Sequence, residues 1–180
     1  MSLARAPVTV ARVSAIDIAI HWRWPAVVGL ATLLLAHGVL PVRYPGWERS
    51  ILWITSASAV LAAEAALLMH ELGHALLARR RGHHVRRIVF HGFMAETQMA
   101  HARPELVVAL AGPGVNVALA LTAGLLRYVS APTGPLDVLL ASVIVGNFAA
   151  AALSLVPVGE SDGRRALRAL RRARSDTLCD

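Results

Sequence analysis

Four long apolar runs dominate the chain, at about residues 24–40, 51–78, 106–128 and 136–156. Crossing a hydrocarbon layer of about 30 Å takes roughly 20 helical residues, so each run reads as a transmembrane helix. The second run is longer than that and must tilt or emerge from the bilayer. The first 23 residues are mixed: Val10, Val13, Ile16, Ile18 and Ile20 alternate in part, ending at His21-Trp22-Arg23-Trp24. This reads as an interfacial segment with an aromatic anchor. Between the second and third runs, Val85 to Thr97 is strand-like on both sides of Gly92, which predicts a short β-hairpin. The expected fold is therefore an all-α polytopic membrane protein of about four transmembrane helices, with a short β-hairpin between the second and third. Residues 1–23 form a cytoplasmic or interfacial segment, 24–163 a membrane core and 164–180 a basic cytoplasmic tail. In that tail Arg alternates with Ala and Leu from Arg164 to Arg174, as in a helix lying on a membrane surface.

Composition agrees: 56% of the 180 residues are hydrophobic, more than a soluble domain of this size carries. All 18 basic residues are arginine, which reads as compositional bias, and the net charge is +7. Such a charge raises the question of nucleic acid, but the distribution of the arginines answers it. Fifteen fall in the N-terminal arm, the residue 79–103 loop and the tail, against three (Arg43, Arg49 and Arg127) in the two opposite loops. The positive-inside rule turns this asymmetry into orientation: both termini cytoplasmic, in a multi-pass protein of the cell membrane, with no nucleic-acid partner. A single cysteine, Cys179, excludes an internal disulfide framework and a thiolate metal site.

The polar residues buried in these runs carry the chemistry. Met69-His70-Glu71-Leu72-Gly73-His74 places two histidines four residues apart in the last third of the second run. Positions i and i+4 share a helix face, so both imidazoles can reach one metal ion, and Glu71 lies beside them as a general base for a water. Neutral imidazoles suit zinc, and catalytic zinc takes three protein ligands and leaves one position free. Candidates for the third ligand near that depth are Asp162, Glu160, Glu64, Glu96 and His91. Asp162 stands where the fourth run breaks after Pro157, on the side of the two histidines, and Gly163 lets the backbone turn there. Elsewhere the blander readings hold: His21 as a headgroup contact, and His83 and His84 as a solvated basic turn. Glu64 and Asn116 stand as either interhelical hydrogen-bond partners or site residues. The Ala111-Gly112-Pro113-Gly114-Val115-Asn116 stretch predicts a loosened helix that lets another backbone come close.

Taken together and in order, His70-Glu71-Leu72-Gly73-His74, Ala111-Gly112-Pro113-Gly114-Val115-Asn116 and Leu155-Val156-Pro157-Val158-Gly159-Glu160-Ser161-Asp162-Gly163-Arg164 resemble the site-2 protease family of intramembrane zinc metalloproteases. Ile18-Ala19-Ile20-His21-Trp22 resembles the opening of its bacterial members, and the likeness runs from about Ile16 to Leu170. The resemblance implies one Zn2+ per chain held by His70, His74 and Asp162, with Glu71 as general base and Asn116 steadying an oxyanion. It implies a single-span membrane protein as substrate, cut near the cytoplasmic face, and a possible regulatory membrane partner alongside the lipid bilayer. The hairpin residues Phe90, His91, Gly92 and Phe93 are the expected substrate-binding edge. The chain departs from the family at Ser154, where asparagine is usual, at Gly159-Glu160-Ser161, and at His91-Gly92, where two glycines are usual. It reads as a minimal core or a truncation. Two other readings stand beside the protease. One is a catalytically impaired scaffold of the same fold. The other is a metal transporter, against which there is no line of polar residues through all four runs.

Overall fold

The computed structural model describes residues 6–92, 94–99 and 105–177. Four helices in it are long and apolar enough to cross a membrane: α1 (Trp24–Arg43), α2 (Arg49–Arg80), α3 (Leu106–Ser130) and α4 (Gly134–Leu155). Their bounds extend the predicted runs by a few polar or interfacial residues, because backbone hydrogen bonding continues after hydropathy falls. α1 widens at Leu35–Val39 into a turn of i→i+5 geometry. A fifth helix, α5 (Asp162–Thr177), follows a six-residue connection, residues 156–161.

The all-α expectation needs correction. The segment read as interfacial is itself a hairpin, β1 (Val8–Val13) and β2 (Ile16–Ile20). Ser14 and Ala15 close it with φ of 47° and 60°, the left-handed pair a tight hairpin demands. With β3 (Val85–Phe90) and β4 (Ala95–Met99), these strands make a four-stranded sheet in the order β1-β2-β3-β4. The expected hairpin is its β3–β4 half. β2 runs parallel to β3, from Asp17 opposite Arg87 to Ile20 opposite Phe90. The alternation of Ile16, Ile18 and Ile20 was a strand signal: Ile16 and Ile18 are buried and β1 is exposed throughout.

The core formed by this sheet positions the helical turn that carries His70 and His74. Ile16, Ile18, Val85, Ile88 and Phe90 pack against Ala75 and Ala78 of α2, with Leu68, Leu72 and Trp24 around them. The sheet thus covers one side of the helical turn that carries Glu71. On another side α3 packs close: a Cβ at Gly73 would lie 2.9 Å from Val115 Cγ2 and 3.2 Å from the Ala111 carbonyl oxygen. The helix is continuous through Pro113 rather than loosened, so its small residues act by close approach alone.

Candidate metal centre

His70 and His74 lie one turn apart on α2, and both rings are buried. Their Nε2 atoms stand 3.2 Å apart. Asp162, the first residue of α5, points its carboxylate between them: Oδ2 is 3.1 Å from His70 Nε2, and Oδ1 is 3.2 Å from His74 Nε2. Ligand atoms around a tetrahedral zinc, each about 2.0–2.1 Å from the ion, stand about 3.3 Å apart, so the three side chains match the edges of such a shell. His74 Nδ1 donates to the Val108 carbonyl at 2.7 Å, which leaves the Nε2 lone pair facing the centre. The backbone is cut to make room: a Cβ at Gly112 would overlap the His74 ring and stand 2.6 Å from His70 Nε2. The donor set and the space it encloses therefore fit a divalent cation.

Burial alone would raise the Asp162 pKa. When His70 and His74 are protonated, their hydrogen bonds and charge outweigh it and hold the carboxyl well below its usual range. The side chain is thus an anion poised for a cation.

Asp162 is placed by its neighbours. A Cβ at Gly163 would collide with the Leu155 carbonyl, so α5 seats directly on the end of α4. Ser161 caps α5, its Oγ accepting the Arg164 N–H at 3.3 Å and donating to the Val156 carbonyl at 2.6 Å. Gly159 supplies the left-handed turn, with φ of 59°. The stretch that departs from the family thus builds the connection that aims Asp162.

The rival ligands lie elsewhere. Glu160 is exposed and pairs with Arg168 at 3.1 Å. Glu64 is buried and accepts the Trp24 Nε1–H at 2.9 Å, tying α1 to α2. Glu96 is exposed on β4, and His91 lies beside His21, with ring centroids 5.1 Å apart. His83 is not free in a solvated turn but bonds Glu105 at 2.8 Å, joining the end of α2 to the start of α3.

Glu71 is half-buried beside the centre, where Thr97 of β4 donates a hydrogen bond to its Oε2. Sequence reasoning missed Thr97 and Val108 as supports of the site, and read Gly163 as a turn residue where it is helical and serves close approach to Leu155. The first two are tertiary contacts 26 and 34 residues from their partners. Asn116 is buried on α3 and lines, with His70, Asn147 and Ser154, a cavity of about 640 Å3 among the four long helices. Of the hairpin residues, Phe90 is buried in the sheet core and His91 is exposed. Gly92 nests against Val27 of α1, at φ of 112°, and Phe93 lies outside the described residues.

No protein-family model matches the chain. It is 29% identical over 175 residues to "Putative zinc metalloprotease Rip3" of Mycobacterium tuberculosis, covering 92% of this chain. It is 28% identical over 151 residues to "Putative zinc metalloprotease sll0528" of Synechocystis, covering 82% of this chain. The chain spans 44% and 39% of the lengths of these two proteins. Its fold is that of the site-2 protease from Methanocaldococcus jannaschii, with a TM-score of 0.57 at 20% identity over 92% of this chain and 71% of that one. The resemblance drawn from the three motifs is borne out by these likenesses.

Proposed function

We propose that this chain is the catalytic core of a site-2 protease, a zinc metalloendopeptidase that hydrolyses peptide bonds of membrane-spanning proteins near the cytoplasmic face. One observation carries the reading: two imidazoles from α2 and a carboxylate from α5 converge within 3.2 Å, with Glu71 beside them. Zinc held by His70, His74 and Asp162 would act as a Lewis acid toward a water and the scissile carbonyl. Glu71 then takes the proton from the attacking water and returns it to the leaving nitrogen. Thr97 holds the Glu71 carboxylate in one orientation through its hydroxyl. The buried Asn116 amide, which lines the same cavity as His70, is the proposed donor to a developing oxyanion.

The amides of a helical substrate are paired internally and must be freed before attack. β4 is an outer strand of the sheet, and an extended substrate segment can add along it, close to Glu71, as one more strand. The cavity lined by Ala31, Leu35, Ala63, Leu67 and Asn116 offers an apolar route from the lipid to His70. The arginine asymmetry supports a cytoplasmic location for both termini and the metal centre. Cleavage of a single-span reporter protein by the reconstituted chain tests the reading. Glu71→Gln should abolish cleavage while bound zinc, measured by metal analysis, stays at wild-type level. Cleavage at the wild-type rate by that variant excludes the mechanism.

A further inference from the structure

α5 does more than present Asp162. Arg164, Arg165, Arg168, Arg171, Arg172 and Arg174 give it six positive charges in 16 residues. At 100° per residue, Arg164, Arg168, Arg171 and Arg172 fall on one face, opposite Ala166 and Ala169, which are buried. Leu167 and Leu170 lie on the flank between them and are 38% and 47% exposed. Arg168 is engaged by Glu160 and Arg165 lies 3.9 Å from Asp162, whereas Arg171, Arg172 and Arg174 have no ion pair among the described residues. The helix starts after a six-residue connection from the end of α4, so it emerges at the surface of whatever bilayer α4 crosses.

We infer that α5 binds anionic phospholipid headgroups through its arginine face, and that this contact holds Asp162 in the metal centre. Three features favour a lipid surface over a nucleic-acid duplex. The helix emerges directly from a membrane-spanning helix. Leu167 and Leu170 flank the arginines, as a helix at an acyl boundary requires. Val156 and Val158, at the start of the connection, are 46% and 71% exposed. The coupling follows from construction. Asp162 is the first residue of α5, Ser161 caps it and Gly163 is wedged against the Leu155 carbonyl. A force that seats the arginine face is therefore delivered to the third ligand with little slack. A bilayer poor in anionic lipid leaves α5 held by its packing on α3 and α4 and its own capping contacts.

The inference deepens the proposed reading, since its second half assumes that Asp162 is a metal ligand. The test is made on the whole chain in phosphatidylcholine vesicles with and without phosphatidylglycerol. In anionic vesicles, amide hydrogen exchange over residues 165–175 should slow about tenfold, and added zinc should bind about three- to tenfold more tightly. The triple variant Arg171→Gln/Arg172→Gln/Arg174→Gln should lose both differences, as should the wild type at about 1 M salt. Exchange in the four long helices serves as the check on folding.

Equal exchange over α5 in the two vesicles overturns the lipid contact. Slower exchange with no change in zinc affinity overturns the coupling. A zinc difference that persists in the triple variant marks metal accumulating at a charged surface and also overturns it. Slowing by a short DNA duplex in neutral vesicles, and not by phosphatidylglycerol, assigns the face to nucleic acid instead. None of these readouts uses cleavage, so failure of the protease reading appears separately, as an active Glu71→Gln variant.

Discussion

The two halves of the candidate metal centre are built in opposite ways. His70 and His74 are set by a single helical turn: wherever α2 goes, the pair arrives with its spacing fixed. Asp162 lies 92 residues from His70 and reaches it only through the seating of α5 on α4 and of both on α3. The helical half depends on secondary structure and the carboxylate half on tertiary packing. Small residues guard the joints, with Gly112 under the imidazoles and Gly163 under the carboxylate.

The largest break falls where both halves meet. Gly112→Ala drives a methyl into the space of both rings, and zinc in the purified protein should fall below the detection limit of metal analysis while helix content by circular dichroism holds. Gly163→Ala should separate the halves. The new methyl meets the Leu155 backbone, which cannot swing away as a side chain can, so Asp162 shifts and the histidine pair does not. Zinc affinity should drop about 10- to 100-fold, comparable to loss of a strong supporting contact around a metal.

A smaller effect belongs to Glu71, the proposed base, rather than to the proposed ligands. Thr97→Val removes the hydroxyl that orients Glu71, and cleavage of a single-span reporter should slow about tenfold with zinc affinity unchanged. A parallel loss of zinc would place Thr97 in support of the ligands instead. The smallest effect is expected at Gly73→Ala. Its methyl meets Val115 Cγ2 at 2.9 Å and the Ala111 carbonyl oxygen at 3.2 Å, so stability should fall by about 1–3 kcal/mol, and Val115→Ala should restore part of it. A large loss of zinc there would mean that the α2–α3 contact, and not only Gly112, sets the metal site.

The same division explains what could be read in advance. The i, i+4 spacing of His70 and His74 is a local pattern, so the pair was legible directly, as were the four long apolar runs. Asp162 was legible only through the order of motifs and the side of the membrane on which the fourth run ends. Nothing in the spacing shows that Ser161 caps α5 or that Glu160 turns away to Arg168. The β1–β2 hairpin was hidden for another reason. Val10, Ile16, Ile18 and Ile20 did alternate, but no glycine or asparagine marked the turn, which falls on Ser14 and Ala15. Thr97 carried no signal, because a hydroxyl on a short strand looks alike whether it faces water or the carboxylate of Glu71.

The parallel pairing of β2 with β3 carries a consequence for how such a chain is threaded. A hydrogen-bonded ladder cannot be shared across a lipid layer, so Ile20 and Phe90 must finish on the same face. Under the proposed membrane topology the chain between them traverses an even number of times, once in α1 and once in α2. Losing or adding one passage during insertion would strand β3 and β4 away from their partners. The sheet therefore doubles as a parity check on biogenesis, closing only when both early helices have been threaded correctly.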